Sequence, residues 1–543
     1  MKIGPALLAT LVTSAVFAQQ PPARNEGESL TKAIDRVLRE NPRSDPKSWQ
    51  LTEKNLFMVT PWLLQTPNWW GRPAKELPVV VAAAGVPQNA DFALPYCSGS
   101  GKGDCASGYC TILRATRNDP AVRIDDLRRV CIGHSDRFLD RIHRIFENAN
   151  TVVDVASLSS PTGRFMATLR NGITYIAKTK RPVTVRVLLG QSAVDPGLEP
   201  RSILSDLVRD ARKVAGSNLT VVVGKTSYSE GPLTQRVSWN HAKIVANDVS
   251  VIFGGHNLWE NDYLREAPIH DVSMEITGPA AASAHRYLEP MWTVACKATA
   301  WYFGPDTKGG LSNRCPAFSA PPPAPAAGTI RALAIGNYGL GIVPTNDETG
   351  RNARIAAFAM AKKVIRMSQQ DLAFVTGKNL YWPRELDVLV SQALAGVEVF
   401  LVLSERGASN ASGVPYGWNI TLQQMANEIL ARAKAKKPNE NVAATLCTNF
   451  HLATLRFSGE DIWTRTGQKP GNHAKVWIVD DEAFYVGSDN LYPATLQEFG
   501  YIIDDKTTTA AFLGDYWNSM WHNSSRTAVS GDATKSCLFR PSP

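Results

Sequence analysis

The chain has 543 residues, 44% of them hydrophobic and 20% charged, and a formal net charge of +9. That length exceeds one typical compact core and suits two, and the composition excludes a disordered or collagen-like chain. The positive charge is spread thinly, so by itself it selects neither an anionic membrane nor nucleic acid as a partner.

The opening residues, MKIGPALLATLVTSAVFA, carry one Lys and then an apolar run too short to span a bilayer. They end in small residues at Val16 and Ala18, and polar QQPPARNEGES follows at once. This pattern predicts a signal peptide over residues 1–18 and a secreted protein, extracellular or periplasmic. No later run is long and apolar enough to predict a transmembrane helix. The eight cysteines fit an exported chain. Cys97, Cys105, Cys110 and Cys131 crowd into a Gly- and Ser-rich region and are expected to pair among themselves. Their irregular spacing, without paired Cys-x-x-Cys, disfavours a zinc site; no metal or cofactor is expected. Cys296–Cys315 would close a short loop, and Cys447–Cys537 would tie the C-terminus to the second half.

In chain order, DRFLDRIHRIFENAN reads as a helix, TVVDVASLS as a strand, FMATLRNGITYIAKTK as a helix and PVTVRVLLG as a strand. ILSDLVRDARKVAG and LTVVVGK repeat the alternation. The stretch APPPAPAAG, 320–328, has the composition of a stiff linker. Beyond it the order recurs: RNARIAAFAMAKK, VIRMSQQDL, ELDVLVSQALAG, VEVFLVLS and LQQMANEILARAKAKK. Continuous apolar strands alternating with helices imply sheets covered on both faces. The predicted fold class is α/β, with two similar α-β-α sandwich halves, 19–319 and 329–543, related by a pseudo-twofold.

Each half carries one copy of the frame His-x-Lys-x-x-x-x-Asp. The first copy, in WNHAKIVAND, uses His241, Lys243 and Asp248. The second, in GNHAKVWIVD, uses His473, Lys475 and Asp480. Alternation along a strand would turn His and Lys to one face. The Asp falls at a polar turn before a second apolar run, so each frame reads as a hairpin. Each second strand ends in a small-residue turn and Asn: GGHN with Asn257, GSDN with Asn490. Farther on lie Asp271 and Glu498. Lys and Asn offer donors that fit phosphate oxygens. Imidazole can attack phosphorus or shuttle protons, and a carboxylate behind each His could fix its tautomer. Two His on opposite sides of one phosphate could perform in-line displacement through a phosphohistidine, with two Lys supplying positive charge. A lone His-x-Lys means little; two copies, each with hairpin, small turn and Asn, are a strong signal.

At these residues the sequence resembles the phospholipase D superfamily, whose signature is two such motifs, each followed by a Gly-Gly or Gly-Ser turn and Asn. WLLQTPNWWG, SWNHAKIVAND, NDYLREAPIHDVSMEITGPAA, MSQQDL and GSDNLYPATLQEFGYI look like the secreted bacterial phospholipases D of the Streptomyces type. The resemblance implies a bilobal phospholipase D-like fold. It implies that His241 is the nucleophile and His473 the general acid, then base. Lys243, Lys475, Asn257 and Asn490 would bind the phosphate, and Asp271 and Glu498 would stand behind the histidines. Asp248 and Asp480 would be structural and His256 a bystander. The implied reaction is hydrolysis of the distal phosphodiester of phospholipids such as phosphatidylcholine, at a membrane or micelle surface, with transfer to alcohols. An aromatic mouth for a cationic head group would draw on Trp259, Tyr263 or Tyr416. Related chemistry on nucleic acid or sphingomyelin, or a catalytically silent lipid-binding protein, are the alternatives. No concentrated basic, aromatic groove for nucleic acid is evident. Since one chain holds both copies, a monomer is expected. Sequons stand at Asn218, Asn410, Asn419 and Asn523.

Overall fold

The structure is a computed structural model. It describes residues 22–58, 61–72, 137–190, 199–229, 237–264, 267–297, 321, 324–325, 328–344, 347–375, 379–381, 383–410, 412–417, 420–459, 462–463, 467–528 and 537–539. The expected leader, the Cys97 to Cys131 group, Cys315, Asn419 and most of the linker lie outside these residues.

The elements run α1 (Leu30–Glu40), β1 (Trp49–Asn55), β2 (Leu63–Thr66), α2 (Arg137–Glu147), β3 (Val152–Ser157), α3 (Gly163–Thr179), β4 (Thr184–Gly190), α4 (Pro200–Leu207), β5 (Thr220–Ser229), β6 (Val237–Trp239), β7 (Ile244–Asn247), β8 (Ser250–Gly254), α5 (Glu260–Tyr263), β9 (Asp271–Thr277) and α6 (Ala280–Lys297). They continue as β10 (Ile330–Asn337), α7 (Thr349–Ala359), β11 (Val364–Ser368), the small hairpin of β12 (Ala373–Val375) and β13 (Asn379–Tyr381), α8 (Pro383–Leu394), β14 (Glu398–Leu403), α9 (Leu422–Lys436), α10 (Val442–Asn449), β15 (Phe450–Thr454), β16 (Val476–Val479), β17 (Ala483–Gly487), β18 (Glu498–Asp504), α11 (Lys506–Phe512) and α12 (Asn518–Ser524). Among the described residues no helix is long and apolar enough to cross a membrane.

Two eight-stranded sheets carry the fold: β2-β9-β8-β7-β3-β4-β5-β6 and β1-β10-β18-β17-β16-β11-β14-β15. Their central strands correspond. In the first, β3, β4 and β5 are parallel and β7, β8 and β9 continue antiparallel. In the second, β11, β14 and β15 are parallel, followed by antiparallel β16, β17 and β18. Period-two alternation sorts each strand's side chains into two cores. In β16, Val476 and Ile478 face the core between the sheets, while Trp477 and Val479 face helices α7 to α10. In β4, Val185, Val187 and Leu189 face the outer helices α2 to α4, and Leu188 faces inward. The inner core joins both sheets, with α6 and the C-terminal helices packed into it.

One N-terminal segment does not stay with its neighbours in sequence. Strand β1 pairs antiparallel with β10 of the second sheet, and Leu30, Ala33, Ile34 and Leu38 of α1 pack with α7 in the outer core of that sheet. The stretch ILSDLVRDARKVAG is helical only through Leu207, then turns as a short 3-10 segment at Ala211–Lys213. Cys447 and Cys537 form a disulfide. Cys296 is also disulfide-bonded, to a residue outside those described. Asn218 is exposed, whereas Asn410 and Asn523 are buried.

Candidate active site

Each frame enters its sheet as an extended segment just ahead of a hairpin. The His-x-Lys residues precede β7 and β16 instead of lying within them, so strand alternation is not what orients them. The preceding Asn does that work in both copies. Asn240 Nδ2 donates to the carbonyls of Ser157 and Leu188, each at 3.0 Å, and its Oδ1 accepts from Ala242 N at 3.2 Å. Asn472 repeats the arrangement with Ser368, Gln369, Val402 and Ala474 N. Both amides thus stitch the frame across the C-terminal ends of the parallel strands, where α/β sheets place their ligands. Sequence reading missed these two residues, although the shared Asn-His-Ala-Lys was a usable signal.

The motif carboxylates lie at the far end of each hairpin. Asp248 accepts from the backbone of Asn150 and Thr151, and Asp480 from Lys362, Lys363 and Val364. Each fastens its hairpin turn to the chain entering the neighbouring strand, well away from the imidazoles.

The two frames interlock. His241 N donates to the Gln497 carbonyl at 2.8 Å, and His473 N to the His270 carbonyl at 2.7 Å. Each histidine is therefore laid beside the residue preceding a carboxylate of the opposite half. The side chains follow. His241 Nδ1 meets Glu498 Oε2 at 2.8 Å, and His473 Nδ1 meets Asp271 Oδ2 at 2.6 Å. The rings also reach the opposite half's small turns, His241 at the backbone of Ser488 and His473 at that of Gly255. A carboxylate on Nδ1 holds a proton there and leaves Nε2 as the reactive nitrogen. Glu498 is in turn hydrogen-bonded by Ser488 Oγ, and Asp271 by Tyr263 OH at 2.8 Å. Tyr263 OH also accepts from Asn257 N at 3.1 Å.

The small turns have a steric reason. A Cβ on Gly255 would come within 2.0 Å of Asp271 Oδ1, and one on Gly487 within 2.0 Å of Tyr485 OH.

All six ionisable groups of this cluster are buried. Burial, then the charges of Lys243 and Lys475, pulls the His241 imidazole well below its usual range; burial, then Lys475, Lys243 and His241, does the same to His473. Burial lowers Lys243 to about 7 and Lys475 to about 8, while burial raises Glu498 to about 7 against the pull of Lys243. Mutual influence of this kind places the two frames in one electrostatic unit. The Asn257 amide oxygen is buried without a hydrogen-bond partner, as is the Asn490 amide apart from its neighbour Tyr492. An amide N–H left open beside two ammonium groups, as at Asn490, suits the oxygens of an anion, whereas the open Asn257 oxygen is an acceptor.

His256 is not at the surface of the site. Its Nε2 meets Thr66 Oγ1 and its Nδ1 meets Ser273 Oγ at 2.7 Å, a core histidine that burial lowers to about 3. Of the three aromatic candidates, Trp259 is half-buried at the start of α5. Tyr263 is buried with its hydroxyl committed to Asp271, beneath the histidine and not at a mouth. Tyr416 stands edge-on to His473, ring centroids 5.1 Å apart. No cluster of metal-ligating side chains occurs among the described residues.

The two α/β sheets thus share one His-Lys-Asn-carboxylate cluster, and the sequence similarity found runs to a phospholipase D. Over 96% of its length, and 91% of the relative's, the chain is 27% identical to phospholipase D of Streptomyces antibioticus. No family model matches the chain. Among solved structures, phosphatidylserine synthase of Haemophilus influenzae Rd KW20 aligns at 16% identity and a TM-score of 0.46, over 71% of this chain and 84% of that one. Nuc of Salmonella typhimurium, a phospholipase D family member, aligns at 21% identity and a TM-score of 0.22, over 36% of this chain and 96% of that one.

Proposed function

We propose that the protein is a secreted, monomeric phospholipase D that hydrolyses the distal phosphodiester of glycerophospholipids such as phosphatidylcholine at a lipid surface. The observation that carries this reading is the exchanged pair of His–carboxylate contacts, flanked by two buried lysines. The likeness to a phospholipase D over nearly the whole chain supports the substrate class. His241 Nε2 attacks phosphorus and the bond to the head-group oxygen breaks, while His473 gives that oxygen its proton. The resulting phosphatidyl-histidine is then attacked by water, or by another alcohol, whose proton returns to His473. Lys243, Lys475, Asn257 and Asn490 hold the non-bridging oxygens as charge builds in the transition state. The anionic diester also offsets the cationic repulsion that helps hold both imidazoles down, which favours the protonated form His473 needs.

The test is a release panel over phosphatidylcholine, phosphatidylethanolamine, sphingomyelin and plasmid DNA, with and without chelator. Free choline or ethanolamine together with phosphatidic acid is expected. Cleavage of DNA alone would sink the proposal.

A further inference from the structure

A buried carboxylate outside the histidine pairs is also shared between the halves. Asp262, in α5 of the first half, is almost fully buried. Its Oδ1 accepts from Asn410 Nδ2 at 2.6 Å and its Oδ2 from Tyr416 OH at 2.6 Å. The Asn257 amide is a third donor to it. Asn410 and Tyr416 belong to the loop between β14 and α9 of the second half. Asn410 shapes that loop: its Oδ1 accepts from Ser412 N at 2.9 Å and Val414 N at 3.0 Å, and its carbonyl accepts from Gln468 Nε2 at 2.6 Å. The Tyr416 ring meets His473 edge-on, at an interplanar angle of 87°.

Burial pushes the Asp262 carboxyl up to about 6, while Tyr416, Asn410 and Asn257 pull it back. Seating a loop this way is unfavourable compared with an apolar contact, since a desolvated carboxylate needs every one of its donors. What the carboxylate adds is direction: it fixes the tyrosine hydroxyl, and so the plane of a ring resting on the imidazole.

We propose that Asp262 is a positioning residue that clamps the loop residues 404–410 and 412–417 and, through Tyr416, sets the orientation of His473. It acts on His473 through the Tyr416 ring; it also holds the Asn257 amide, so Tyr416→Phe is the variant that isolates the clamp. The proposal rests on the functional reading above, in which His473 handles the proton of the leaving alcohol. The clamp should therefore matter for leaving groups that need an acid and for breakdown of the intermediate. It should matter little for formation of the intermediate from a substrate with a good leaving group.

The experiment compares single-turnover rates at saturating substrate for the wild type, Asp262→Asn and Tyr416→Phe. One substrate is a phosphatidylcholine micelle, the other a p-nitrophenyl phosphodiester. Choline release is expected to fall about 10- to 100-fold in Asp262→Asn and less in Tyr416→Phe. In Tyr416→Phe, which leaves the Asp262–Asn257 contact in place, the nitrophenolate burst should stay within about threefold of wild type, and labelled enzyme should accumulate. Equal slowing of both substrates in Tyr416→Phe, which keeps the ring and the fold, would overturn the clamp, as would no slowing of either. Absence of labelled intermediate in His473→Ala, where breakdown is blocked, would instead overturn the functional reading, and the clamp with it.

Discussion

The two histidine sites share one frame yet rest on different supports. His241 leans on Glu498, which is backed by a serine hydroxyl; His473 leans on Asp271, which is backed by Tyr263 and sits beside the Tyr416 ring. The longer Glu and the short Ser fill on one side the space that Asp and a tyrosine fill on the other. The lesson is that both copies hold an imidazole, a small turn and a carboxylate from the opposite half in the same way, while the groups behind each carboxylate differ. Two chemically similar groups can then take unequal parts in one reaction.

The largest contrast should come from removing the imidazoles. His241→Ala is expected to lose activity by at least about 10⁴-fold and to form no covalent label. His473→Ala should lose about 10²- to 10⁴-fold on alkyl head groups. It should still be labelled by a p-nitrophenyl phosphodiester, in an acid-labile and alkali-stable bond that persists. Label retained in His241→Ala and absent in His473→Ala would reverse the assignment; label in neither would favour direct attack by water.

Carboxylate replacements test the exchange itself. Glu498→Gln should slow formation of the label and Asp271→Asn its breakdown, each by about 10²-fold or more, since a carboxamide no longer holds the Nδ1 tautomer. If the effects instead follow the half in which the carboxylate lies, the crossed pairing is not the working one.

A smaller effect should appear as a displaced pH profile. His241 must be neutral to attack, so label formation falls as pH drops through its pKa. Burial and the two lysines hold that pKa low, which puts the acid limb below the usual imidazole region. Replacing Lys243 by Gln removes the larger of the two repulsions, raises the imidazole pKa and should move the limb to higher pH, whatever it does to the absolute rate. An unmoved limb would mean that lysine charge does not set the histidine.

The smallest effects belong to the hairpin anchors. Asp248→Asn and Asp480→Asn each weaken charge-assisted bonds to backbone N–H groups and should lower stability by about 1–3 kcal/mol in denaturant titration. The rate per folded molecule should barely change. A loss of activity with stability intact would move these residues into the chemistry.

Much of this arrangement was legible beforehand because it is local. Hydrophobic runs of strand length, polar turns at Asp248 and Asp480 and the glycines at 254, 255 and 487 each report on nearby backbone. What stayed hidden was non-local. The contacts of His241 with Glu498 and of His473 with Asp271 span 257 and 202 positions, and nothing in either segment marks its partner. Strand β1 buries Trp49, Thr52 and Asn55 around a register irregularity, and so short a face does not say which of two sheets it will join. The place of Tyr263 stayed open for a similar reason: an aromatic just after Asn257 could serve a mouth or a foundation, and the structure buries it with its hydroxyl on Asp271.

The exchange of carboxylates also orders events in time. His241 has no native carboxylate until the chain has been made and folded through Glu498 in β18, the last strand of its sheet to appear in sequence. A chain in which the halves have not met therefore lacks both crossed His–carboxylate contacts, on which the proposed mechanism depends. On the proposed function, a chain whose halves have not yet docked would be chemically silent toward its substrate.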